Sequence, residues 1–164
     1  MFVDVENIHA RIFLALPAEV GSLIDQLASS NDRLWPNERW PAMRFDTPLG
    51  VGAAGGHGPI KYCIETYDPG RRIVFRFTNP KGFDGTHGFE ILSAGQGTRL
   101  RHFVRMRLRG TARVTWPMAF RPLHEALIED ALDKAESSLG FTPAPRRWPL
   151  TARLLRRALR RVQS

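Results

Sequence analysis

From Thr98 to Arg109 the chain alternates between two chemistries. Leu100, His102, Val104, Met106 and Leu108 fall on one side, and Arg99, Arg101, Arg105, Arg107 and Arg109 on the other. A period of two is that of a β-strand with one face in a core and one in water. Slipping the register by one residue would bury five arginines, so both the strand and its orientation are fixed. Any fold for this chain must cover the apolar face of that strand and leave the arginine face open.

The segments before it carry the same period. Ile60, Tyr62, Ile64 and Thr66 oppose Lys61, Cys63, Glu65 and Tyr67, and Asp68-Pro69-Gly70 makes a turn. Ile73, Phe75 and Phe77 oppose Arg72, Val74 and Arg76, and after Asn79-Pro80-Lys81-Gly82 an inward set of His87, Phe89 and Ile91 opposes Thr86 and Glu90. Nearer the start, Phe2 to Leu16 reads as a strand with Ile8, Ala10, Ile12 and Leu14 on one face and Asn7, His9 and Arg11 on the other. Pro17 then opens a short helix to Ala28, and Asn31-Asp32 is placed to cap a second short helix or turn through Leu34, Trp35 and Trp40. Phe45 to Val51 reads as a weak strand, and residues 52–58, rich in glycine, as a loop or hairpin turn.

A long helix closes the pattern. Thr115-Trp116-Pro117 has the chemistry of a helix start, and Gly140 of a stop. Between them Phe120, Leu123, Leu127, Ala131, Leu132, Ala135 and Leu139 form an apolar stripe, with Glu125, Glu129, Asp133 and Glu136 on the expected wet side. At ~1.5 Å per residue the helix spans about 35 Å.

Composition narrows the classes. A chain of 164 residues with 43% apolar and 24% charged residues is globular and one domain long. No apolar run approaches the ~20 residues that cross a bilayer, and Met1 to Leu14 lacks the pattern of a signal peptide. The single Cys63 excludes an internal disulfide or a Cys-rich zinc module, and the expectation is a cytoplasmic protein. The net charge of +8 is lopsided: residues 141–164 hold seven arginines and no acid, which leaves 17 bases and 16 acids in residues 1–140. The body of the protein is therefore nearly neutral, which argues against nucleic acid as a partner.

One strand, one or two short helices, about six further antiparallel strands and a long C-terminal helix make an α+β chain. This order, with the His9-to-Leu16 strand running into Pro17-Ala-Glu-Val, the Arg71-to-Phe77 strand, Gly97-Thr98-Arg99-Leu100 and the long terminal helix, resembles the helix-grip fold of the START and polyketide cyclase (SRPBCC) superfamily. The resemblance covers about residues 2–140. It implies a curved antiparallel sheet of about six or seven strands wrapped around the long helix, two short helices after the first strand, and a pocket between sheet and helix. Residues 1–140 form the expected ligand-binding domain, and residues 141–164 a tail rich in proline and arginine.

The expected function is binding, or transport, of a hydrophobic small molecule such as a lipid or a polyketide-like aromatic. Its candidate lining is Trp35, Trp40, Tyr62, Ile64, Phe75, Phe77, His87, Phe89, His102, Val104, Met106, Phe120, Leu123 and Leu127. The same residues would also serve as a filled core. Trp35 and Trp40 would either cap the open end or seal the small helices onto the sheet. The alternative function is a cyclase or dehydratase with His87, His102 and Tyr62 as acid–base candidates. No inward carboxylate is expected to orient those rings, so catalysis is the lesser reading. A metal site from His57, His87 and His102 has the count but none of the spacings of a known motif, and neither metal nor cofactor is expected. The glycines at 50, 52, 55, 56 and 58 lack GK[ST] and GxGxxG, and read as a loop at the pocket mouth.

The arginine face is expected to pair across strands with Glu65 and Glu90, with no outward aromatic to stack a base. In the tail, Leu150, Leu154, Leu155, Ala158, Leu159 and Val162 recur at helical spacing, with Arg153, Arg156, Arg157, Arg160 and Arg161 between them. A basic amphipathic helix of this kind suits an anionic membrane surface or an acidic partner, reached through Arg146 to Arg161. It could equally dock on its own domain or on a second copy as a homodimer. A regulatory interaction module working through this tail is the third functional class.

Overall fold

Alternation in the sequence becomes an antiparallel sheet in a computed structural model that describes residues 1–162, with side chains to Leu159. The elements run β1 (Val3–Phe13), α1 (Pro17–Asp25), β2 (Arg44–Phe45), β3 (Ala54–His57), β4 (Ile60–Asp68), β5 (Arg72–Asn79), β6 (Phe83–Ala94), β7 (Gly97–Leu108), α2 (Ala112–Thr115), a π-helical turn (Trp116–Phe120), α3 (Arg121–Ser138) and α4 (Leu150–Val162). The seven strands form one sheet in the order β1-β7-β6-β5-β4-β3-β2, every neighbouring pair antiparallel.

The inner face of the sheet is the one read from the sequence: Tyr62, Ile64, Phe75, His87, Phe89, Leu100, His102, Val104 and Met106 are buried. The arginine face carries the expected cross-strand pairs. Glu90 bonds Arg101 and lies 3.5 Å from Arg72, Glu65 bonds Arg76, and Arg105 reaches Glu6 at 3.0 Å. One outward aromatic does sit among them. Phe103 is 2% exposed, with the guanidinium groups of Arg72 and Arg105 at 5.7 and 5.6 Å from its ring centre. Long arginine side chains reaching over the ring help bury it without a second layer of structure.

β1 corrects the simplest expectation for an amphipathic strand. Its apolar side faces outward, with Ile8 44% and Ile12 52% exposed, and Asn7, His9 and Arg11 turn inward. The reason lies on α3, whose supposedly wet side meets them. Asn7 bonds Glu125 at 3.4 Å, His9 bonds Glu129 at 2.7 Å, and Arg11 reaches Glu129, Asp133 and Glu136 at 3.1, 2.5 and 2.7 Å. Residues two apart on a strand advance about 6.6 Å, and residues four apart on a helix about 6.0 Å, so successive rungs stay in step. This polar ladder fixes α3 along the β1 edge, and the apolar stripe of the helix then faces the remaining strands.

Other departures are local. Only one of the two short helices expected after β1 forms: α1 begins at Pro17, and Glu19 accepts a hydrogen bond from the Leu16 amide at 2.8 Å. The stretch from Asn31 to Trp40 is a series of turns held by Asp32, whose carboxylate accepts from the amides of Ala28, Leu34 and Trp35 at 2.8, 2.9 and 2.7 Å. Local carboxylate bonding of this kind competes with helix, and Pro36 removes a further donor. Phe45 to Val51 is not a strand beyond Phe45, whereas the glycine-rich stretch is: Ala54 to His57 form β3. A Cβ on Gly55 would lie 2.0 Å from the Arg44 carbonyl oxygen, so these glycines permit close strand packing, not a loose loop.

The long helix starts earlier than Thr115 and is interrupted. Pro117 and Pro122 remove two amide donors, and the chain passes them through the π-helical turn, where the Arg121 amide bonds the Trp116 carbonyl. Its end matches expectation. Gly140 has φ 86°, and the amides of Gly140 and Phe141 bond the carbonyls of Ser137 and Glu136 at 3.1 and 3.0 Å, which closes the helix in a Schellman turn.

Candidate functional site

The apolar interior divides into two clusters. One gathers α1, Trp35, Trp40 and the middle of α3 with Tyr62, Ile64, Phe75, Phe89 and Leu100. The other holds Phe83, Val104, Met106, Leu108, Ala112 and Trp116. Between them is a cavity of about 260 Å³ whose walls come from both: Trp35, Trp40 and Leu127 from the first, Phe83, Val104 and Trp116 from the second.

Of the expected lining residues, Trp35, Trp40, Phe77, His87, His102, Val104, Phe120, Leu123 and Leu127 border this space. Tyr62, Ile64, Phe75, Phe89 and Met106 do not; they are packed core behind it. The aromatic girdle explains why. The Tyr62 ring is enclosed by Phe45, Phe75, His57 and His87, with centroids 4.7–5.9 Å away, and Phe89 packs edge-on to His102 at 4.7 Å. Both tryptophans border the cavity and are fixed by hydrogen bonds of their indole N–H groups. Trp35 donates to the Pro41 carbonyl at 2.9 Å and packs on His57 at 4.6 Å, while Trp40 donates to the buried Asp130 at 2.8 Å.

Residues outside the expected lining complete the walls, among them His57, weighed in the sequence only as a metal ligand. His57 arrives on β3, among the glycines that disguised the strand. His124 lies four residues from both Phe120 and Ile128, on the apolar stripe of the helix, where its position was a usable signal. Trp116, Phe83, Ala119 and Ile128 also line the space, and Leu155, Arg156 and Leu159 of α4 lie over it.

Four imidazoles thus meet in one cavity. Rings of His87 and His102 are 5.8 Å apart, those of His102 and His124 5.0 Å, and His9 stands 6.2 Å behind His124. Among the described residues, no set of three His, Cys, Asp or Glu side chains converges as a metal site would need. Burial dominates the electrostatics: it pushes His57 and His124 down to about 3, and His87 and His102 well below the ordinary histidine value. The nearby imidazoles add to the effect at His87, His102 and His124, and Lys61 adds to it at His57. At neutral pH all four are neutral and weakly basic, so the site offers hydrogen bonds more readily than proton abstraction.

His57 spends one nitrogen on the Tyr62 hydroxyl at 3.0 Å. Burial likewise holds the Tyr62 phenol well above its ordinary value, so it remains a neutral hydrogen-bonding group. By contrast Nε2 of His87, Nδ1 of His102 and Nε2 of His124 are buried with no hydrogen-bond partner among the described residues.

The tail helix closes this site. Ahead of it, Arg146 bonds Glu129, and the Trp148 indole donates to Asp130, 3.1 and 3.0 Å from its two oxygens. Asp130, 7% exposed, also receives Trp40 and the Arg39 guanidinium, the latter at 3.0 Å. Arg156 stacks over Trp40 at 4.5 Å, and Ala152 is fully buried.

No family model matches the chain, and no curated protein matches it. Solved structures do. Norcoclaurine synthase from Thalictrum flavum, a point mutant in complex with a transition-state analogue, superposes with a TM-score of 0.62 at 14% identity, over 85% of this chain and 97% of that one. CalU16 from Micromonospora echinospora gives 0.57 at 18% identity, over 95% and 82%. Ara h 8.0201 gives 0.55 at 11% identity, over 84% and 97%. Identities this low carry fold and nothing finer. With a seven-stranded curved antiparallel sheet closed around a long helix in the second half of the chain, this protein has the α+β helix-grip architecture.

Proposed function

We propose that this chain is a member of the START and polyketide cyclase superfamily, and that it binds a compact, largely apolar small molecule between sheet and helix. The observation that carries the reading is the cavity of about 260 Å³ between two apolar clusters, walled by tryptophan, phenylalanine and leucine and holding four neutral imidazoles. An engineered apolar cavity of ~150 Å³ takes up benzene, so this one has room for about ten non-hydrogen atoms. That size supports an aromatic of about two rings over a long-chain lipid. The test is native mass spectrometry of gently purified protein, with tryptophan fluorescence as a second readout, since Trp35, Trp40 and Trp116 all border the space. A co-purifying small molecule, or saturable quenching by two-ring aromatics, is the expected result. Failure of both would overturn the reading.

The tail supports a second role: docking on an anionic phospholipid surface. Leu150 and Leu154 are 64% and 56% exposed, beside exposed Arg153 and Arg157, in a segment with no acid. Near such a surface each arginine contributes on the order of 1 kcal/mol, screened by salt. The side chains of Arg160 and Arg161 lie outside the described residues. Full-length protein is expected to sediment with phosphatidylserine vesicles at low salt and not with phosphatidylcholine vesicles. If the Arg153→Glu/Arg157→Glu double variant sediments equally well, the surface contact is not made by α4.

A further inference from the structure

Resting on the reading of the cavity as a ligand site, we infer that its ligand is an uncharged aromatic bearing hydroxyl or carbonyl groups, and that His87, His102 and His124 read those groups. Three buried ring nitrogens, one on each imidazole, have no partner among the described residues, and all three rings border the same space. His87 and His102 are 5% and 1% exposed, so the bulk solvent does not satisfy them. A buried polar atom left unpaired is costly, and native proteins seldom keep three of them in one place without a use. The cluster also has a built support. His9, behind His124, is held by Glu129 at 2.7 Å, and Phe77 packs on His87 at 4.6 Å, so packed neighbours back both rings.

Neutral imidazole sets the chemistry of the partner. Each ring offers one N–H donor and one nitrogen acceptor, and no net charge. A hydroxyl can meet either nitrogen and a carbonyl can meet the N–H, whereas a carboxylate or sulfonate buried beside four neutral rings would have no charge to balance it there. Arg156, the lining cation among the described residues, comes from α4 and is stacked on Trp40 at 4.5 Å. The apolar walls then select for the ring system and the imidazoles for its oxygens.

A series of matched probes on the unaltered full chain tests this at pH 7.5: naphthalene, 2-naphthol, 2,7-dihydroxynaphthalene and naphthalene-2-sulfonate, measured by calorimetry or tryptophan quenching. The hydroxylated probes are expected to bind about tenfold or more tighter than naphthalene, and the sulfonate weaker than naphthol. Imidazole nitrogen resonances of three of the five histidines should move with naphthol and stay in place with naphthalene. In the His102→Phe variant the preference for naphthol should collapse while naphthalene affinity holds within a few-fold, and His124→Phe serves if that variant does not fold. If naphthalene binds as tightly as naphthol, the cavity is a ligand site and the histidine assignment is wrong. If the sulfonate binds tightest, the site reads charge and the inference is equally overturned. If none of the four binds, the ligand-site reading itself fails, and the inference with it.

Discussion

Acidifying the solution should unfold this protein well before its carboxylates titrate. In an unfolded chain a histidine takes up its proton near pH 6.5, whereas burial holds His57 and His124 near 3 and His87 and His102 far below normal. The unfolded state therefore binds more protons than the folded one throughout the interval below pH 6.5, and stability must fall with pH there. One such imidazole costs roughly 1–2 kcal/mol at pH 5.5 and roughly 3 kcal/mol at pH 4.5. His57 and His124 alone then remove about 3 kcal/mol by pH 5.5, and His87 and His102 act in the same direction, against a total stability of ~5–15 kcal/mol for an ordinary domain.

Glu129 of the β1–α3 ladder acts lower. Burial raises the Glu129 pKa, but the hydrogen bond from His9 and the charges of Arg146, His9 and Arg11 outweigh it, so its stabilisation persists above about pH 4.5 and fades only beneath that. Urea unfolding followed by tryptophan fluorescence at pH 7.5, 6.5, 5.5 and 4.5 separates the two windows. The slope between 6.5 and 4.5 should approach several protons, and His124→Phe should lower it by about one, or ~1.4 kcal/mol per pH unit. Stability that stays flat from pH 7.5 to 5.5 would refute the placement of neutral imidazoles in the interior.

Three further outcomes follow from the packing. Arg11→Met leaves Glu129, Asp133 and Glu136 facing one another without their shared cation, and should cost about 3–5 kcal/mol in urea unfolding, with partial recovery in high salt. Asp130→Leu strands the indole N–H groups of Trp40 and Trp148 and the Arg39 guanidinium, and should destabilise by at least about 2–3 kcal/mol while shifting tryptophan emission to the red. Leu155→Ser with Leu159→Ser loosens the α4 side of the cavity, so stopped-flow release of a bound naphthol should speed up with unfolding stability changed by less than ~1 kcal/mol; unchanged release would show that ligands leave by another route.

The long arginine strand, the inward residues of β4 to β7 and the Gly140 stop were legible because each depends on a local repeat or a single backbone requirement. What escaped was set by partners distant in the chain. Nothing within residues 3–13 says that the polar side of β1 faces inward, because its complement is 118–125 residues away on α3. β3 was unreadable as a strand because glycine carries no alternation, and that left His57 out of the expected lining. The division between lining and core also needed the third dimension: Tyr62 and Phe75 have the same pattern as Phe77 and His87, and only the curvature of the sheet separates them. His124 was different, since its position on the apolar stripe was visible in the sequence.

Asp130 joins three parts of the chain that are far apart in sequence: the turn carrying Arg39 and Trp40, the helix that carries the carboxylate, and Trp148 at the approach to α4. Trp40 is at once a wall of the cavity and a partner of that carboxylate, and α4 borders the same cavity with Leu155, Arg156 and Leu159. Occupancy of the interior and the seating of α4 are therefore two terms of one thermodynamic cycle. Whatever factor a ligand adds to the seating equilibrium, displacement of α4 must subtract from ligand affinity. Any contact that drew α4 outward would change the affinity of a ligand held in the interior by that same factor.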